Sequence, residues 1–229
     1  VYVKDLESNE DFALNDKPLY SASLIKAFVM AKTYQDMDDV LKNEAAQMKT
    51  TVDNTKVQDK VNTLLWNMIT VSDNESCNEL GRLQSDTYDF IDGAKQVKKE
   101  GYTKTSYQST LHPSASKLIT LGGHNQTTVT DCGKLLERIY RGECVSKEAS
   151  EEMLDLLKNQ QNTSKIPEGL GVDVPTANKT GETDEDQHDI AIVYGTKTTY
   201  ILCVMSENAS NAIANIRNIS RVVYNYLNL

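Results

Sequence analysis

The chain has 229 residues, with 24 Lys and Arg against 33 Asp and Glu, for a net charge of −9. That length fits one large or two small domains, and the acidic balance argues against a nucleic-acid binder or a polybasic membrane anchor. Only 11 Gly and 4 Pro are present, which excludes a collagenous or Pro/Gly-rich disordered chain, and no apolar run is long enough to span a bilayer.

The chain opens on Val1-Tyr2-Val3, which reads as a strand and not as the charged start of a leader; the protein is then either cytoplasmic or a mature or trimmed form. Alternation over Val1 to Asn15 around Ser8-Asn9-Glu10-Asp11 predicts a β-hairpin. From Ser23 the period changes, and Leu24, Ala27, Phe28, Ala31 and Tyr34 share one helical face. Val57, Val61, Leu64, Leu65, Met68 and Ile69 mark an amphipathic helix, and Thr87 to Glu100 predicts another that stops at Gly101. Gly101 to Thr128 has little periodicity and reads as a long functional or mobile loop. Thr130 to Arg141 predicts a helix with Thr130 as N-cap, followed by a helix over Lys147 to Lys158. Asp189 to Tyr194 and Thr198 to Met205 are β-rich runs joined through Gly195-Thr196. Ala209 to Leu227 closes the chain as a helix with Ile213, Ile216, Ile219, Val223 and Tyr226 on its apolar side; Tyr224 and Tyr226 read as core packing.

Strands at both ends and helices between them make an α+β chain. Two strands alone are marginal, so the N-terminal hairpin must pair with the C-terminal one. One antiparallel sheet flanked by helices follows, with an all-α half inserted. Cys77, Cys132, Cys144 and Cys203 form no C-x-x-C pair, so neither a zinc knuckle nor a redox motif is expected. Buried free thiols, or at most one bridge, is the plainer reading. His112, His124 and His188 lack metal-ligand spacing, and no metal or other cofactor is expected.

Three short motifs carry the chemistry. In Ser23-Leu24-Ile25-Lys26 the first and last residues share a helical face, which brings a hydroxyl to an amine. At a helix N-terminus that is a workable nucleophile and base. Ser114-Ala115-Ser116-Lys117 repeats the pattern without helical periodicity and is set aside as a decoy. Ser72-Asp73-Asn74 follows the Val57–Ile69 helix, and Lys179-Thr180-Gly181 precedes the C-terminal hairpin. Each alone fits a turn or a cap; all three in this order are expected by chance in fewer than roughly one in a thousand sequences.

With this set the chain resembles the serine β-lactamase and penicillin-binding-protein family, closest to class A β-lactamases. Tyr20-Ser21-Ala22 before Ser23, Thr127-Thr128 before Asp131, and Glu182 after Gly181 extend the likeness along nearly the whole chain. The resemblance implies a β-lactamase/DD-peptidase-like fold over residues 1–229. Its α/β half would comprise about 1–22 and 165–229, and its all-α half about 23–164. It further implies that Ser23 is acylated, that Lys26 takes its proton, and that Lys179 lowers the pKa of Lys26 by like-charge repulsion. Ser72 would relay a proton to the leaving nitrogen, and Asn74 would bind the substrate amide and Lys26. Lys179 and Thr180 would hold the substrate carboxylate, and the N–H groups of Ser23 and Glu182 would form the oxyanion hole.

Two departures matter. Class A β-lactamases carry an omega-loop glutamate that activates the deacylating water, yet residues 101–130 contain no Asp or Glu. His112 or His124 could stand in. Family members also usually open with a helix packed beside the last one, so either the C-terminal helix here is less covered than usual or the chain has been cut. The implied function is an active-serine hydrolase that forms an acyl-enzyme with β-lactams and deacylates slowly. The alternatives are a D-Ala-D-Ala peptidase that binds penicillin and a non-catalytic sensing domain. A monomer acting outside the bacterial cytoplasm is implied by the family.

Overall fold

A computed structural model describes residues 1–85, 100–111, 122–171 and 173–229. The N-terminal strands β1 (Tyr2–Asp5) and β2 (Asp11–Ala13) form the expected hairpin. The C-terminal strands are β5 (Thr176–Glu182), β6 (Asp186–Tyr194) and β7 (Thr199–Glu207), and the five-stranded antiparallel sheet runs β2-β1-β7-β6-β5. The two ends of the chain meet where β1 pairs with β7, Val3 opposite Leu202. A second pairing joins β3 (Leu19–Tyr20) to β4 (Gln126–Thr127), which the sequence did not announce because two-residue strands carry no period.

Both faces of the sheet are covered, which is why β6 and β7 read as continuous apolar runs instead of an alternation. Ile190, Ile192, Ile201 and Cys203 point into one core, with Leu24, Met68 and Leu135 of the helices. Ala191, Val193, Tyr200, Leu202 and Val204 point the opposite way, to Ile166 and Ile216. The first core holds the helical half: α1 (Ile25–Gln35), α2 (Met37–Gln47), α3 (Thr55–Thr70), α4 (Asn74–Leu83), α5 (Val129–Tyr140) and α6 (Lys147–Lys158). The second is closed by α7 (Ile166–Leu170) and α8 (Ala212–Asn228).

The caps follow local chemistry. Asn54 accepts from the N–H of Lys56 at the start of α3, and Asp73 accepts from that of Ser76 at the start of α4. Thr128, not Thr130, caps α5: its backbone is extended and its hydroxyl accepts from Asp131 N, while Thr130 lies within the first turn and donates to Asp16. The predicted helix over Thr87 to Glu100 lies outside the described residues except for its last member.

The described ends of the 101–128 stretch are pinned. Asn78 exchanges two hydrogen bonds with the backbone of Leu111. Asn125 accepts from the N–H groups of Gln108 and Ser109 and donates to the carbonyl of Ser109. Tyr226 is 87% exposed, against the expectation of core packing, because α8 turns that face away from the sheet. The same face leaves Val222 exposed. All four cysteines are buried and free. No helix among the described residues is long and apolar enough to cross a membrane.

Candidate active site

The site forms where the helical half meets β5. Ser23 lies in a short 3₁₀ turn, Ala22–Leu24, that leads into α1. One helical turn on, the Lys26 ammonium donates to Ser23 Oγ at 2.9 Å. It also reaches Ser72 O at 2.5 Å, Ser72 Oγ at 3.0 Å and Asn74 Oδ1 at 2.7 Å. From β5, Lys179 Nζ donates to the same Ser72 Oγ at 2.9 Å and to Thr180 O at 2.7 Å. Thus Ser23, Lys26, Ser72, Asn74 and Lys179, spread over more than 150 positions of sequence, share one hydrogen-bonded cluster.

Backbone strain marks the same place. Ala22 has φ 45° and Ser72 has φ 59°, both left-handed without being glycine. Such positions cost about 1–3 kcal/mol and persist where surrounding contacts over-determine them. At Ser72 those contacts are the lysine bonds to its carbonyl and hydroxyl. Gly181 is required for close approach: a Cβ there would lie 3.1 Å from Ser21 O and 3.2 Å from Leu24 Cγ. The absence of a side chain lets β5 press against the turn that holds Ser23.

Lys26 and Lys179 are both 0% exposed, and every partner the structure gives them is a neutral oxygen. Burial lowers the Lys26 pKa to about 8, although Cys77 and Asp73 oppose it. The cause is desolvation, a correction to the expected repulsion by Lys179. Lys179 is itself held well below its ordinary value, by burial first and by Lys26 second. Lys26 has four acceptors around one nitrogen, more than three ammonium protons can serve. Once neutral, Nζ has a lone pair with which to take the Ser23 proton. Ser72 Oγ accepts from both lysines, so its own proton is left to be donated elsewhere.

An open cleft of about 590 Å³ lies over this cluster, lined by Ser23, Thr70, Val71, Ser72, Asn74, Gln160, Gln161, Asn162, Thr180 and Glu182. Lys26, Lys179 and Gly181 lie behind that lining rather than in it. Asn162, at the α6–α7 connection, donates to Glu182 Oε1 at 2.6 Å, and the fully buried Lys165 Nζ lies 2.8 Å from the same oxygen. Lys165 also donates to Gly181 O at 3.3 Å and His188 O at 3.1 Å. Burial alone would raise the Glu182 pKa, but the Lys165 hydrogen bond and charge outweigh it and hold the carboxyl below its ordinary value. Asp189, opposite Thr180, is buried and pushed up to about 7 by desolvation, against donors from Asn178 and Ile166 N. Sequence reading missed Lys165, Asn162 and Asp189, which belong to no motif and meet only through the fold.

The two described histidines do not reach the serine. His124 lines a separate cleft with Tyr20, Gln126 and Asp186. His188 is buried, accepts at Nδ1 from Ser206 N and sits 2.9 Å from Tyr20 O at Nε2, which fixes a neutral tautomer. His112 and the Ser114–Lys117 motif lie outside the described residues. Among the described residues no cluster of His, Cys, Asp and Glu could hold a metal.

A model of the β-lactamase enzyme family matches residues 1–227. No curated protein matches. Among solved structures, PBP-A superposes with a TM-score of 0.77 at 21% identity, over 98% of this chain and 88% of that one. A variant of PBP-A in an acyl-enzyme complex with penicillin G gives 0.78 at 22% identity, over 98% and 88%. The TLA-1 extended-spectrum β-lactamase gives 0.78 at 18%, over 99% and 91%. The predicted α+β architecture is therefore the class A β-lactamase fold, and the chain belongs to the serine β-lactamase family.

Proposed function

We propose that the protein is acylated at Ser23 by β-lactams and releases the acyl group slowly. Lys26, neutral in a substantial fraction near its lowered pKa, takes the Ser23 proton as Oγ attacks the lactam carbonyl. Ser72 passes its hydroxyl proton to the departing nitrogen and is reprotonated through the lysines that flank it. Asn74 holds the substrate amide through the cleft wall, and Thr180 meets the substrate carboxylate, with Lys179 behind it polarising Ser72. The N–H groups of Ser23 and Glu182 receive the oxyanion.

The observation that carries slow release is the chemistry of the cleft wall. Its one carboxylate among the described lining residues is Glu182, already bound by Lys165 and Asn162 and held in a weakly basic form. Gln160, Gln161, Asn162 and Thr70 can position a water but accept its proton poorly. A structurally similar protein, the PBP-A variant, forms an acyl-enzyme complex with penicillin G, which supports acylation as the first step here. The proposal includes a site of action outside the cytoplasm, where β-lactams and cell-wall peptides are met.

Mixing the protein with penicillin should give a burst of one equivalent of product, a slow steady rate, and an adduct on Ser23 visible by intact mass. Ser23→Ala should lose the adduct. Fast multiple turnover without a detectable adduct would overturn slow release, and release of D-Ala from a D-Ala-D-Ala peptide faster than penicillin hydrolysis would favour the peptidase alternative.

A further inference from the structure

The Glu182 carboxylate stands in an unusual place. It follows Lys179-Thr180-Gly181 directly, shares the cleft wall with Ser23, Ser72 and Thr180, and is 45% exposed at its side chain. Its Oε1 takes the hydrogen bond from Asn162 Nδ2 at 2.6 Å and the ammonium of Lys165 at 2.8 Å. Lys165 has three protons. Two are directed to Gly181 O and His188 O, and the third to Glu182.

Lys165 is thus a buried cation whose ion-pair partner among the described residues is supplied from the cleft side. Lys26 and Lys179, also fully buried, differ in that their hydrogen bonds go to neutral oxygens. The charged group among the described lining residues is the glutamate itself, on a molecule of net charge −9. A substrate anion arriving beside Thr180 therefore meets a carboxylate where it needs a cation.

We infer that Glu182 is an internal anion that fills the carboxylate subsite of the cleft and has to vacate Lys165 and Asn162 before a carboxylate-bearing ligand is seated. This rests on the reading of the cleft as a β-lactam site beside Ser23. The exchange swaps one charge-assisted contact for another of the same kind, so binding gains little from the new pair and suffers from the displaced negative charge close by. Glu182 then acts as a specificity residue: it disfavours anionic ligands relative to neutral ones of the same shape.

The test compares benzylpenicillin, which carries a free carboxylate, with its methyl ester. Non-covalent binding is measured by NMR titration in Ser23→Ala and in Ser23→Ala with Glu182→Ala or Glu182→Gln. Acylation at Ser23 is followed separately by intact mass in the otherwise unmodified protein. The ratio of carboxylate to ester affinity should rise at least about tenfold in Glu182→Ala and by a smaller factor in Glu182→Gln, which keeps an acceptor for Asn162 but not the charge. An unchanged or smaller ratio in folded Glu182→Ala and Glu182→Gln overturns the inference. Loss of the Ser23 adduct in the unmodified protein would instead strike the proposed function, and the binding ratio would still decide the role of Glu182.

Discussion

Two buried lysine systems flank the cleft and solve the same problem in opposite ways. The hydrogen-bond partners of Lys26 and Lys179 among the described residues are neutral oxygens, and desolvation pulls both below the ordinary lysine range. Lys165, equally buried, is matched by a carboxylate at 2.8 Å. An ammonium denied a counter-ion gives up its proton more readily, and at Lys26 it becomes a base. One given a counter-ion is held in place by it and anchors structure. The difference lies in one carboxylate, which the chain places at the end of β5 in contact with Lys165 and outside the hydrogen-bond partners of Lys26 and Lys179.

The sharpest way to break this contrast is Lys26→Ala. Loss of the base should cut the second-order acylation constant by about 10²–10⁴-fold, read with a chromogenic β-lactam. An undiminished constant would mean that the uncompensated lysine is not the base. The pH profile is the next largest effect. Acylation should climb about tenfold per pH unit below the Lys26 pKa of about 8 and level off above it. A flat profile from pH 6 to 9 would sink the assignment. The same group has a stability signature of definite sign. Its folded pKa of about 8 is below the ordinary 10.5, so between those values the unfolded chain binds more protons. This lysine therefore makes stability rise with pH across that window, with its full penalty below it.

A smaller effect is expected from Gly181→Ala. The new Cβ, 3.1 Å from Ser21 O, forces β5 and the Ser23 turn apart by a few tenths of an ångström. Misplacement on that scale should slow acylation roughly tenfold, and unaltered kinetics would show that the turn yields without cost. Smallest is Lys165→Met, which leaves Gly181 O and His188 O without their buried donor. Urea unfolding should report a loss of about 1–3 kcal/mol. An unchanged midpoint would show that the compensated cation is not an anchor.

The sequence disclosed most of the frame and half of the cleft. The two hairpins and the helices beginning near Ser23, Val57, Thr130, Lys147 and Ala209 were legible because each buries one stripe or alternates, whereas α2 and α4 were not read from the sequence. β5 was not legible from pattern: Thr-Ala-Asn-Lys-Thr-Gly-Glu is polar, though its middle is buried. It could be placed only through the resemblance its motif carries. The Ser23, Ser72 and Lys179 motifs were visible because contiguous residues act together. Lys165, Asn162 and Asp189 act across long separations and have no local period, so only the folded chain brings them to the site. The Lys26 shift was expected in the right direction for the wrong reason, since sequence shows neighbouring charges but not the depth at which they lie.

The four free cysteines turn this molecule into its own opening gauge. Cys77, Cys132 and Cys203 are 0% exposed and Cys144 is 2% exposed. Burial raises every thiol, to about 11 at Cys77 and Cys144 and about 12 at Cys132. An alkylating reagent therefore finds no reactive thiolate until the structure parts, and each adduct records which region opened. Cys203 stands in β7 between Tyr2 and Ile190 and reports separation of the sheet. Cys77 lies on α4, near enough to Lys26 to feel its charge and 3.9 Å from Tyr107 Oη. Its labelling rate, set against that of Cys203, separates loosening of the catalytic wall from unfolding of the whole chain, with no residue altered.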